Sequence, residues 1–178
     1  ATYGVEIDRY PDDREACRKK ILQKHSLPPD TRILLFNGTL SVISNIEAVQ
    51  IILDNINPEL MQQPLPYCII ICGKGLPEQY NELRDYKEKN IIYAGFVEDI
   101  SEYFKAADVF LNPIISGAGI KTKAVEAIAY GCTVISTELG ALGMDESNYG
   151  EMMEVEQNGN WNLFIKETFE KITQNVSS

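Results

Sequence analysis

The chain has 178 residues, enough for one cored domain or two very small ones, and carries 26 Asp+Glu against 16 Lys+Arg, a formal charge of −10. A chain near this size buries roughly 70% of its extended surface, and the 44% apolar content supplies a core. The acidic balance argues against a general nucleic-acid binder, which needs a basic footprint, yet leaves room for a small anion held by a few local donors.

Asp12 to Lys24 is charged with interspersed apolar residues and predicts a first helix that Pro28 and Pro29 end. Arg32 to Phe36 is a short apolar run closed by Asn37-Gly38, a strand and turn. Ser44 or Asn45 is expected to cap the next helix, with Ala48, Ile51, Ile52 and Ile56 on its inner face and Pro58 just past it. Tyr67 to Cys72 is a strand with almost no alternation, turned by Gly73 and Gly75, and Pro77 is expected to start a helix to about Lys87. Ile91 to Tyr93 is a third strand. Asp99 or Ser101 caps a helix ending near Ala107, and Val109 to Leu111 is a fourth strand. A helix from about Thr122 to Ala129 stops at Gly131, and Thr133 to Ser136 follows as strand five. Glu151 to Val155 is a weaker sixth strand, and Trp161 to Ile172 is the closing helix.

Continuous apolar strands alternating with helices predict a sheet covered on both faces. Right-handed crossovers make it an α/β, doubly wound, mainly parallel, six-stranded Rossmann-like sheet. One domain over 1–178 is expected: 1–30 as linker and first helix, 31–158 as sheet core, 159–178 as closing helix. Ligands of such sheets sit beyond the carboxyl ends of the strands. The loops to inspect are 37–44, 73–76, 94–99, 112–121 and 136–143, and all contain glycine.

In the first of them, Gly38 permits close ligand approach, and the hydroxyls of Thr39 and Ser41 with the next helix's free amides suit an anion. An ordinary Asn-Gly turn with capping hydroxyls accounts for the same residues. Neither GxGxxG nor GxxxxGK[ST] is present, so a dehydrogenase or P-loop NTPase loses its best local support. The richest loop is Ser116-Gly117-Ala118-Gly119-Ile120-Lys121-Thr122-Lys123, running into Glu126. Lys121 lies just before a helix, where its charge opposes the helix dipole and a phosphate would offset the conflict. Lys123 and Glu126 are three apart and also read as a surface ion pair. In Gly95-Phe96-Val97 the backbone can read a base edge and Phe96 can pack against it, or Phe96 is a core residue.

Conventional catalytic machinery is thin. A single His, His25, rules out a multi-histidine metal centre and reads as structural; no aspartate cluster suggests a metal. Cys17, Cys68, Cys72 and Cys132 contain no Cys-x-x-Cys pair and read as reduced thiols of a cytoplasmic protein. No stretch approaches the ~20 apolar residues of a membrane span. No basic leader precedes a short apolar run, so no signal peptide is expected.

In order along the chain, Tyr3-Gly4-Val5-Glu6-Ile7-Asp8, Leu34 to Leu40, Asn45-Ile46-Glu47-Ala48, Gly95 to Ile100, Tyr103 to Pro113, Gly117 to Lys123, Glu126 to Thr137 and Gly140-Ala141-Leu142-Gly143 carry a likeness. Together they resemble the carboxyl-terminal, donor-binding domain of group 1 (family 4) retaining glycosyltransferases. The resemblance implies one half of a B-type glycosyltransferase, a bacterial enzyme of polysaccharide or glycoconjugate biosynthesis. Its donor would be a nucleoside-diphosphate sugar, with no cofactor or tightly bound metal. An amino-terminal acceptor-binding domain would precede Ala1 in cis, and the isolated half would transfer poorly or not at all. The full protein would be cytoplasmic, with peripheral association at the inner membrane face open to it.

By the same resemblance, Glu126 corresponds to the second glutamate of the paired-glutamate motif and holds the ribose. Gly119-Ile120-Lys121-Thr122 approaches the diphosphate, with Lys121 the candidate for stabilising the leaving group. Gly38, with Thr39 and Ser41, faces phosphate and sugar, and Phe96-Val97 lies by the nucleobase. Ala118 stands where the first glutamate, a donor-sugar contact, would be, and Ser41 and Asn45 replace the usual basic residue and Lys-Gly pair. Two other classes compete. A different sugar-nucleotide enzyme would want a Tyr-x-x-x-Lys pair, but Ala107 follows Tyr103 at that spacing. A nucleotide-sensing or protein-interaction module would bind without transfer.

Overall fold

The structure, a computed structural model, describes residues 13–117, 122–142, 144 and 152–174. Tyr3–Asp8, Ala118–Lys121 and Gly143 of the sequence reading lie outside them. The elements are α1 (Arg14–Lys24), β1 (Arg32–Asn37), α2 (Ile43–Ile51), α3 (Asn57–Leu60), β2 (Tyr67–Cys72), β3 (Ile91–Gly95), α4 (Ile100–Ala106), β4 (Val109–Asn112), α5 (Thr122–Ala129), β5 (Thr133–Thr137), β6 (Met153–Glu156) and α6 (Trp161–Gln174). The six strands form one sheet in the order β3-β2-β1-β4-β5-β6, and every neighbouring pair is parallel. The expected mainly parallel, doubly wound sheet is thus present, with the strand order reversing beside β1, where such folds open a crevice.

Burial explains why the strands read as unbroken apolar runs. All six residues of β2 and all four of β4 are buried, because helices cover both faces. One face packs Leu34, Phe36, Ile69 and Ile71 against α2, α3 and α6; the other packs Ile33, Leu35, Ile70 and Phe110 against α1, α4 and α5. Phe110, on the second face, has the Phe104 ring centroid 5.5 Å away and that of Phe36, on the neighbouring strand, 6.3 Å away, joining β1, β4 and α4. Cys68, Cys72 and Cys132 are buried free thiols, each pushed up to about 12 by desolvation. They are inert packing groups.

Three local expectations need correction. Neither Ser44 nor Asn45 caps α2: Val42 occupies the N-cap in extended geometry without a side-chain cap, and the Asn45 amide donates to the Thr39 carbonyl at 2.9 Å. Nor does Pro58 lie beyond the helix. The chain continues through a π-helical turn, Ile52–Ile56, into α3, with Pro58 in its first turn. Proline has no N–H to offer the carbonyl four residues back, and the wider turn before it absorbs that mismatch. Finally, Glu78–Lys89 is not a regular helix but 3-10 turns broken by left-handed Asn81, Glu82 and Leu83. Leu83 is the one buried side chain there, so packing does little to hold an α-helix in register.

Asp99 does cap α4, accepting from the Ser101 amide at 3.0 Å. His25 is structural, as expected: it is half-buried, lies 3.0 Å from the Tyr103 hydroxyl, and desolvation lowers its pKa. Tyr67 donates to Asn57 Oδ1 at 2.6 Å within the core, while the Asn57 amide donates to the Lys89 carbonyl at 2.8 Å. Replacing Tyr67 by Phe strands the Asn57 oxygen away from water, and the expected loss is about 2 kcal/mol in urea unfolding. A loss near zero would mean water reaches Asn57.

Candidate functional site

The carboxyl edge is organised by backbone hydrogen bonds between successive loops. The Gly38 amide donates to the Cys72 carbonyl at 3.1 Å, Leu40 to Lys74 at 2.8 Å, and Gly73 to Gly95 at 2.7 Å. The loops after β1, β2 and β3 therefore form one stitched ledge. Leu40 anchors it by inserting fully into the core, which turns the neighbouring Thr39 and Ser41 outward to solvent. The Tyr93 hydroxyl braces the ledge from below by donating to the Gly73 carbonyl at 2.7 Å.

Gly38 is buried at the centre of this ledge, and a Cβ there would lie 2.7 Å from Lys123 Nζ and 2.7 Å from Asn45 Cγ. Lys123, the second residue of α5, has thus laid its ammonium against the glycine of the β1 loop. The surface-pair reading of Lys123 is corrected. Its side chain is half-buried, desolvation lowers its pKa, and Glu126 opposes that shift. Burial likewise raises the Glu126 carboxyl above the usual carboxylate range, with Lys123 pulling it back. A partly dry cation and carboxylate on one helix face, beside a loop with outward hydroxyls and a tight glycine, form a polar recess suited to an anion carrying a hydroxylated group.

The other sequence-predicted residues distribute unevenly around it. Thr122 opens α5. Thr39 and Ser41 are exposed on the Gly38 loop. Phe96 is 71% exposed, so it is not a core residue, whereas the Val97 side chain packs against the α1/α4 core and leaves only its backbone for a ligand. Their loop follows β3, two strands from β1, or about 10 Å across the sheet. Gly119, Ile120 and Lys121 lie outside the described residues. Lys123 is the residue whose burial the sequence does not reveal. In the sequence it reads as half of a surface ion pair with Glu126, and only the approach of α5 to the Gly38 loop separates a half-buried ammonium from a surface one.

A Ser116 hydroxyl bond to Glu47 ties the loop after β4 to α2, and Gly117 packs against Ser44. Asn112, buried at the end of β4, donates to Ser136 Oγ at 3.1 Å and to the Gly140 carbonyl at 3.2 Å, fixing the loop after β5. No group of three or more His, Cys, Asp or Glu that could hold a metal occurs among the described residues. A cavity of about 750 Å³ lies elsewhere, between Lys24–Pro28, the start of β3 and Glu82–Lys87.

The family described as "Glycosyl transferases group 1" matches residues 31–170, which is most of the chain and every strand of the sheet. The chain belongs to this glycosyltransferase group 1 family. A Klebsiella pneumoniae relative, an uncharacterised 44.6 kDa protein in the cps region, is 25% identical over 126 residues, 67% of this chain and 32% of that protein. Among solved structures, WaaG, a glycosyltransferase involved in lipopolysaccharide biosynthesis, superposes with a TM-score of 0.67 at 20% identity, over 93% of this chain and 46% of WaaG. Anabaena HepE in complex with UDP and glucose gives 0.65 at 16% identity, over 96% of this chain and 47% of HepE. The fold is therefore that of a B-type glycosyltransferase half. The chain spans about a third of the Klebsiella protein and about half of each of these structures. No described helix is long and apolar enough to cross a membrane.

Proposed function

We propose that this group 1 chain is the donor-binding half of a retaining glycosyltransferase, which takes its sugar from a nucleoside diphosphate and needs a second domain in cis for the acceptor. The observation that carries the reading is the Lys123 ammonium held against Gly38, one turn from Glu126. The UDP complex of the similarly folded HepE supports a nucleoside diphosphate as the ligand class.

In the proposed reaction, the bond between the sugar's anomeric carbon and the diphosphate oxygen breaks, the acceptor nucleophile bonds to that carbon and gives up its proton, and negative charge is left on the diphosphate. Lys123 sits where it can neutralise that charge without first shedding a full hydration shell, and Lys121 with the amides opening α5 would add to it. Glu126 positions the ribose through its hydroxyls and does not attack carbon. Phe96, already exposed, offers a face to the base, while Thr39 and Ser41 are hydrogen-bonding partners for phosphate or sugar. Ala118 has no polar side-chain group to give the sugar. Neither a resident metal nor a nucleic-acid partner is part of the reading. The unit spans 1–178, and the complete protein works in the cytoplasm, peripheral to the inner membrane face.

Calorimetric titration with uridine, guanosine and adenosine diphosphates tests the reading, followed by Glu126→Ala. At least one diphosphate is expected to bind, and Glu126→Ala to weaken the nucleoside as well as the nucleotide. A folded chain that binds none of the three would sink the donor assignment.

The pH profile gives an independent check. A lysine binds an anion only while protonated, and burial lowers the Lys123 pKa from its ordinary 10.5. Diphosphate affinity is therefore expected to fall as pH rises from neutrality through that lowered value, earlier than an exposed lysine would allow. Lys123→Arg, which keeps its charge throughout, is expected to flatten this limb. An identical limb in both proteins would assign it to another group.

A further inference from the structure

The amino-terminal rim of the sheet, at the end opposite Gly38, holds a second basic recess. It is a polar cavity of about 410 Å³ where β1, β4 and β5 begin, lined by Arg14, Arg18, Arg32 and Lys105 against Glu15 and Asp108. Four cations facing two carboxylates is an inversion of sign in a chain of charge −10. Three of the four are committed to the protein. Arg14 donates to the carbonyl of Gly131 and, at 3.1 Å, to that of Ala107, holding α1 against the ends of α4 and α5. Arg18 pairs with Asp108 at 2.9 Å and donates to the Thr31 carbonyl, and Lys105 pairs with Asp13 at 2.7 Å.

Arg32 is different. Its Nε is buried and has no hydrogen-bond partner, the one such side-chain atom among the described residues. A guanidinium cannot lose its charge to escape this, and a desolvated donor left unpaired is costly. The Asp108 carboxylate next to it is occupied by Arg18 and by the Ile33 amide at 2.8 Å. The cavity is roomy, polar and net positive, and among the described residues its one uncommitted cation is a planar fork suited to tetrahedral oxyanions.

We propose that this recess is a second anion site, which binds a phosphate monoester through Arg32 with Arg14 and Arg18 as its walls. It is separate from the Gly38–Lys123 recess, because β1 runs between them and its six residues span about 20 Å. Since β1 begins at Arg32 and ends one residue before Gly38, an anion at one end would brace the strand that carries the other.

The test uses the whole chain carrying Lys123→Ala, which removes the ammonium beside Gly38. Inorganic phosphate is titrated calorimetrically, and phosphatidylcholine vesicles with and without phosphatidic acid are tested by co-sedimentation. Phosphate is expected to bind, and adding Arg32→Gln to weaken it about tenfold or more, the loss of one charge-assisted contact. Vesicle binding that needs both phosphatidic acid and Arg32 would identify the source as a lipid headgroup. Phosphate binding without vesicle binding would identify a soluble phosphate ester. The Arg32 Nε–H resonance, followed by NMR in the chain that keeps Arg32, is expected to shift on phosphate addition and does not depend on the second variant folding. An unmoved resonance, or equal phosphate and vesicle binding with and without Arg32, would overturn the proposal.

Discussion

Lys123→Ala is expected to weaken nucleoside diphosphate binding by about tenfold to a hundredfold while leaving nucleoside binding nearly unchanged. The magnitude is that of one charge-assisted contact in a partly desolvated recess, about 1.5–3 kcal/mol. The selectivity follows from position: the ammonium lies against the Gly38 backbone, which is the proposed phosphate end of the recess, while Glu126 lies one turn further along α5. Titration of UDP and uridine against parent and variant separates the two contributions. Equal losses for both ligands would show that Lys123 organises the recess and does not touch the phosphate. Lys121→Ala, measured alongside, tests the sequence-level candidate; a larger effect there than at Lys123 would reverse their order.

The largest structural effect is expected at Gly73. Its φ of +135° is one that L side chains rarely adopt, and a Cβ there would sit 1.7 Å from the Gly38 carbonyl oxygen. Neither partner is free to retreat, since Gly73 is held by Gly95 on one side and Tyr93 on the other, and Gly38 is held by Cys72. Gly73→Ala therefore combines backbone strain with a clash against main chain, and a loss of about 3 kcal/mol or more is expected in urea unfolding. Where the variant still folds, the Gly38 loop must shift and diphosphate affinity must drop with it. Gly159→Ala is the control. Gly159 has φ +84° but nothing within 4 Å of the added carbon, so strain alone applies, about 1 kcal/mol. If the two variants lose the same stability, the approach of the first two loops is not the constraint described.

Much of the fold is legible along the chain because its signals are local. β2, Tyr-Cys-Ile-Ile-Ile-Cys, has no polar alternate residue, and only a strand covered on both faces tolerates that pattern. Asp99 two residues before Ser101 is a cap whose geometry is set within one turn. Thr122–Ala129 stops just before Gly131, whose positive φ suits a helix end. The failures share a physical cause. A helix from Pro77 to about Lys87 is a reasonable inference from the proline start signal, but only Leu83 finds a core to enter. The cap expected at Ser44 or Asn45 is lost because Asn45 turns instead to the Thr39 carbonyl of the ledge.

The candidate site divides in the same way. Glycine loops at five strand ends, together with Glu126 at its place after Gly-Ala-Gly-Ile-Lys-Thr-Lys, are properties of the chain, and they identify the family and the edge of the sheet on which to look. Lys123 cannot be chosen from that list. Its distance to Gly38 spans 85 positions in sequence and exists only because β1 and β4 are neighbours, which brings α5 to the β1 loop. The orphaned Arg32 Nε is equally invisible in sequence, since an arginine at the start of a strand is ordinary until the groups around it are paired elsewhere. The sequence by itself determined an acidic α/β domain of the group 1 type with its ligand edge marked by glycine. The tertiary structure decided which charges on that domain lie out of water, because desolvation depends on neighbours that no local pattern records.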